Sequence, residues 1–143
     1  NMPMEDDELS IEPCFEVHDI FVCGPKQKKT LFTWEELSKE PLILLEENSS
    51  SRQYLNRQFL SKGIELKPQI EIAAHDLLIR FASIHLGISC VTKEFSKESL
   101  ERGVVLPITL DPPLPPRNIG CAYLNSTPLS PAAQTFLKLI KIY

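Results

Sequence analysis

Apolar residues in this chain come in short blocks cut apart by glycine, proline and charge, not in one long periodic run. "CFEVHDIFVCG", residues 14–24, is rich in aromatic and β-branched residues and closes at Gly24-Pro25, which predicts a strand and then a turn. "TWEEL" sets Thr33 as an N-cap with Glu36 three residues on, a capping box opening a short helix that stops before Pro41. "PLILLE" is a compact apolar run and reads as a buried strand. Beyond it Tyr54, Leu55, Gln58 and Phe59 fall at helical spacing, and Gly63 closes that helix. "PQIEIA" alternates as a strand does. "HDLLIRFASIHLG" puts Leu77, Leu78, Phe81, Ala82 and Ile84 on a wide helical face and predicts a helix reaching Gly87. "GISCV" is a further strand, and "SKESLERG" a short polar helix closed by Gly103. "VVLPITL" and "NIGCAYL" are strands on either side of the rigid "DPPLPP", and "SPAAQTFLKLIKIY" is a last helix with Ser130 as N-cap and Pro131 at its first turn.

The middle of the chain therefore alternates strand and helix. That order predicts an α/β fold with a mainly parallel sheet flanked by helices. Ligands of such folds sit at the carboxyl ends of strands, where helices begin. Three loops hold that position here: Glu46 to Arg52, Ala73 to Asp76, and Thr92 to Phe95.

Composition narrows the function classes. The 143 residues suit one domain of ordinary size, and 43% hydrophobic content with 24% charge is typical of a folded globular chain. A net charge of -4, with "KQKK" as the only dense basic run, gives no face for binding DNA through phosphates. No apolar stretch approaches the roughly 20 residues that span a bilayer, and "NMPMEDDELS" lacks the basic and apolar regions of a signal peptide. Cys14, Cys23, Cys90 and Cys121 form no CxxC pair, and three of them lie in apolar runs; they read as buried thiols of a reducing cytoplasm.

The stretch "EENSSSRQY" carries the main candidate chemistry. The first turn of a helix leaves N–H groups without partners, and its dipole favours negative charge. Ser49, Ser50 and Ser51 add hydroxyl donors there and Arg52 a guanidinium fork, a set suited to a carboxylate, sulfate or phosphate. The plainer reading makes one serine an N-cap and the others loop filling. His75, beside Ala73 and Ala74, either meets a ligand or satisfies a loop carbonyl. His85, near a helix end, fits the terminal carbonyls or solvent, and His18 with Cys14 offers two metal ligands where zinc needs more. There is no GxSxG and no HExxH; Ser50 with adjacent His75 and Asp76 makes no relay, and no catalytic residue is assigned.

The ordered set "PLILLEENSSSRQYLNRQFLSKGIELKPQIEIAAHDLLIRFASIHLGISCVTKEF" resembles the second half of the effector-binding region of LysR-type transcriptional regulators, and "LERGVVLPITL" and "PRNIGCAYLNSTPLSPAAQTFLKLI" resemble its closing stretch. The resemblance implies a type 2 periplasmic-binding-protein-like subdomain. It implies a cytoplasmic bacterial homodimer in which a small-molecule effector occupies a cleft, with DNA bound only by an N-terminal winged helix-turn-helix; that the effector is an anion is the expectation from the Ser/Arg turn. That domain, the linker helix and the first half of the first subdomain are not in the chain, so an excised fragment is expected. Residues 1–4 would be a crossing segment, 5–116 the second subdomain, and 117–143 a return strand and helix belonging to the first, with Phe136, Leu137 and Ile140 needing burial. Carried over residue by residue, the effector contacts fall on Ser49, Ser50, Ser51 and Arg52, on Ala74 and His75 of the second loop, and on Thr92 of the third. No cofactor, metal or membrane is implied. Two other classes share the features: a solute-binding protein for transport of a small anion, and an interaction module with a vestigial cleft.

Overall fold

The computed structural model describes residues 7–140, which fall into two compact units. The larger is His18–Pro115; residues 7–17 with 116–140 form the other.

In His18–Pro115 the elements are β2 (Asp19–Cys23), β3 (Leu31–Thr33), α1 (Trp34–Ser38), β4 (Leu42–Leu45), α2 (Ser50–Leu60), β5 (Ile70–Ile72), α3 (His75–Ser83), β6 (Ile88–Thr92), a 3₁₀ turn (Lys93–Ser96), α4 (Lys97–Glu101) and β7 (Leu106–Asp111), with β1 preceding them in the other unit. The sheet has six strands in the order β3-β7-β2-β6-β4-β5. β3 with β7, β6 with β4, and β4 with β5 pair in parallel, whereas β2 runs antiparallel to both β6 and β7. The sheet is thus mixed, and the reversed strand is β2.

Alternation along the strands divides the core into two layers. Phe21, Cys23, Leu42 and Leu44 pack with Trp34, Leu37, Leu55 and Phe59 from α1 and α2. Val22, Ile43 and Val91 face the other way, onto Leu78 and Ala82 of α3 and onto Val105. Leu42, Ile43 and Leu44 are all buried, which is why "PLILLE" reads as an unbroken apolar run and not as an alternating one. Phe59 meets the Phe21 ring edge-on at 6.1 Å and the Trp34 ring at 4.5 Å. Full burial of such a side chain contributes about 1.5–3 kcal/mol. Trp34 Nε1 donates to the Pro112 carbonyl at 2.7 Å, and the Tyr54 hydroxyl donates to that of Pro115 at 2.6 Å, so the proline-rich segment is fastened to α1 and α2. The Thr33 capping box is present in full.

Two boundaries differ from the sequence expectation. The run 14–24 is not one strand. It breaks at His18, whose N–H donates to the Glu94 carboxylate at 3.0 Å while its Nδ1 meets the same group at 2.8 Å. The division between the two compact units falls at Val17/His18, where β1 (Leu9–Val17) pairs outside the main sheet. The second difference is in α3, which ends at Ser83, short of Gly87. His85 then takes φ +64, with its N–H donated to the Ala82 carbonyl at 3.0 Å, and turns the chain. Gly87 has another task. A Cβ there would sit 2.3 Å from the Pro41 carbonyl oxygen, which accepts the Ile88 N–H at 2.8 Å. Only glycine lets β6 come in beside β4.

In the other unit, β1 and β8 (Arg117–Leu124) form an antiparallel pair with an irregularity between Pro13 and Phe15, followed by α5 (Pro131–Ile140). The Ser130 hydroxyl accepts the Ala133 N–H at 3.2 Å, the expected N-cap. No α5 residue is buried: Leu137 and Ile140 are half covered, and Phe136 is 55% exposed. All four cysteines are reduced, but only Cys23 is buried, against the expectation of buried thiols; Cys14, Cys90 and Cys121 are half covered.

Candidate functional site

The loops expected to converge do so inside His18–Pro115. A recess at the carboxyl ends of β4 and β6 is lined by Ser51, Arg52, His75, Thr92, Asp19 and Cys90, with Leu44, Leu45, Leu55 and Val91 as its apolar floor. Its volume is about 310 Å³, open to solvent on one side. A drug-sized ligand occupies roughly 300–1,000 Å³. The recess lies at the low end of that range.

The three serines have different positions. Ser49 is the N-cap of α2, its hydroxyl accepting the Arg52 N–H at 3.1 Å. Ser50 is exposed and lies outside the lining, whereas Ser51 turns into it. The first-turn N–H groups of α2 and its dipole point toward the same end.

Arg52 is not the open fork that the sequence suggests. It is buried, with 3% exposure. Its NH1 donates to the Leu45 carbonyl at 2.7 Å and to Glu71 Oε2 at 3.2 Å, and Nε donates to Asn56 Oδ1 at 2.9 Å. The guanidinium ties the end of β4 to α2 and to β5. It supplies a fixed positive charge behind the recess, partly offset by the half-exposed Glu71 carboxylate.

On the facing side, Ala74 is the N-cap position of α3, has no side-chain cap bond, and is exposed outside the lining. His75 begins the helix, and its Nε2 accepts the Thr92 N–H at 3.4 Å, so the ring proton sits on Nδ1 when the imidazole is neutral. The Thr92 hydroxyl donates to Asp19 Oδ1 at 3.1 Å. Asp19 is a lining residue the sequence reading missed. Its signal was a carboxylate inside an apolar strand, at 7% exposure in the structure. Cys90 was passed over for the opposite reason, as one more apolar strand residue.

The geometry therefore gathers Ser51, Arg52, His75 and Thr92, and leaves Ser50 and Ala74 on the rim. No group of three or more His, Cys, Asp or Glu side chains among the described residues could hold a metal. No described helix is long and apolar enough to cross a membrane.

This is an α/β module with a small polar recess at the strand ends, the arrangement of a ligand-binding domain. The model of the LysR substrate binding domain matches residues 1–142, and the chain belongs to that family: it is the effector-sensing part of a LysR-type transcriptional regulator. No curated protein matches the chain. Among solved structures it is similar to the regulatory domain of CcmR from Synechocystis PCC6803 in complex with 2-PG, with a TM-score of 0.84 and 19% identity over 99% of this chain and 69% of that one. The effector-binding domain of QuiR in complex with shikimate gives 0.80 and 18%, over 99% and 68%. The regulatory domain of MetR from N. meningitidis gives 0.77 and 17%, over 99% and 68%. Likeness at that identity establishes a shared fold.

Proposed function

We propose that the effector of this domain is a small anionic metabolite whose acid group sits in the recess at the N-terminus of α2. The observation that carries this reading is the buried Arg52, held by three protein acceptors so that its charge faces the recess without needing to move. A preorganised charge of that kind binds an anion at low reorganisation cost. Ser51 and the first-turn N–H groups would donate to the acid group, and Thr92 and His75 would orient the rest of the molecule from the facing side. Asp19, paired with the Thr92 hydroxyl, disfavours a second negative group deep in the recess. Ser49, Ser50 and Ala74 shape the rim.

In the intact regulator, DNA contact belongs to a separate winged helix-turn-helix, and the domain works in the bacterial cytoplasm as part of a homodimer. Effector binding shifts the population of two arrangements only to the extent that it prefers one of them. The role is binding, not catalysis. Family membership is the reason to prefer sensing over solute transport. Titration calorimetry of the intact regulator against carboxylates, phosphates and neutral analogues tests the charge preference. Saturable binding of acids alone supports it; binding of neutral or cationic compounds alone overturns it.

A further inference from the structure

Cys14 and Cys121 lie on the two strands that carry the chain into and out of His18–Pro115. Their sulfurs stand 3.5 Å apart, with the Cys14 thiol directed at Cys121 Sγ and at the Glu12 carbonyl. Both residues are half covered, neither sealed in the core as Cys23 is. Cys14 falls at the irregularity between Pro13 and Phe15, where β1 carries a residue with no counterpart in the register of β8. Such an extra residue gives the backbone slack that a regular strand pair lacks. The remaining thiols are placed differently: Cys23 is buried against the Leu106 carbonyl, and burial pushes its pKa up, away from the reactive thiolate.

We propose that Cys14 and Cys121 form a dithiol modification site for a hydroperoxide. The Cys121 thiolate, which accepts from the Cys14 thiol, attacks the peroxide; the O–O bond breaks, and a sulfenic acid forms as the alcohol or water departs. The second thiol then attacks the sulfenic sulfur; the S–S bond forms, the S–O bond breaks, and hydroxide leaves with the thiol proton as water. The peroxide is reduced by two electrons and the thiol pair is oxidised by two. The bond would link residues 107 positions apart and close a covalent ring around the unit that holds the recess. This inference is independent of the effector reading.

The test is hydrogen peroxide treatment of the folded chain, followed by alkylation and non-reducing peptide mapping. The expected product is one intramolecular disulfide joining the Cys14 and Cys121 peptides, reversed by dithiothreitol, with Cys23 and Cys90 still alkylated. In Cys14→Ser the disulfide should vanish and a sulfenic acid at Cys121 should become trappable by dimedone. A thermal melt confirms that this variant is folded, and the wild-type map stands without it. Oxidation of each cysteine separately to sulfinic acid, a link through Cys23 or Cys90, or no reaction would each overturn the proposal.

Discussion

Helices α2 and α5 have nearly the same length, 11 and 10 residues, and each offers a phenylalanine on its apolar face. Phe59 of α2 is fully buried between two aromatic rings, whereas Phe136 of α5 is more than half exposed. The apolar face is the clearer of the two in α5, which is nonetheless the less covered helix. What differs is the partner surface: α2 lies on a six-stranded sheet that supplies Phe21, Leu42 and Leu44, while α5, among the described residues, neighbours β1 of a two-stranded pair. An amphipathic face states that a helix needs cover; the sheet decides whether it receives it.

Alanine at each phenylalanine sharpens the contrast. Phe59→Ala should cost about 3–5 kcal/mol in urea denaturation. Phe136→Ala in the same chain should stay within about 0.5 kcal/mol. Equal losses would show that α5 is covered as fully as α2. Next in size is Arg52→Met, which leaves the Leu45 carbonyl and Asn56 without their donor; about 2–3 kcal/mol should be lost, and a loss of effector binding with no loss of stability would instead make Arg52 a ligand group alone. Gly87→Ala forces β6 away from the Pro41 carbonyl and should cost about 1–3 kcal/mol, visible as a lower urea midpoint at unchanged slope.

The smallest expected effect is at the break between β1 and β2. Burial raises the pKa of Glu94, but the backbone and side-chain hydrogen bonds of His18 outweigh it and leave the carboxyl below its ordinary value. A depressed folded pKa stabilises the fold above the unfolded value, and that contribution fades as pH falls through the folded one. Glu94→Gln should therefore flatten the acid limb of the stability curve below about pH 4.5, by no more than about 1 kcal/mol for so exposed a pair. An unchanged acid limb would mean that the His18 contact contributes nothing.

Most of the architecture was legible because local signals agreed. The Thr33 capping box, the Ser130 cap and the apolar block 42–45 each have one physical solution, and each appears as expected. The break at His18 was not legible, since 14–24 has strand composition throughout and only the Glu94 contact and the change of partner strand divide it. The end of α3 was missed because Gly87 looks like a helix stop, while its use is to admit a neighbouring backbone. In the recess, the serine turn and the facing loop could be placed from strand and helix order. The engagement of Arg52 with Glu71 could not, because that carboxylate reaches it only once β5 is in place beside β4; Asn56, one helical turn along α2, was a local partner that the reading passed over.

The central claim is that an anion is gripped at the α2 N-terminus, and Ser51→Glu addresses it most directly. A glutamate in the first turn suits the helix dipole and should leave the fold intact, yet it places a like charge where the acid group would sit. The measurement is the thermal shift of the intact regulator, wild type and variant, against a panel of small carboxylates and phosphates. The account predicts a saturable rise in Tm for at least one acid in the wild type, and loss of that rise in Ser51→Glu at unchanged basal Tm. An equal rise in both proteins would contradict it.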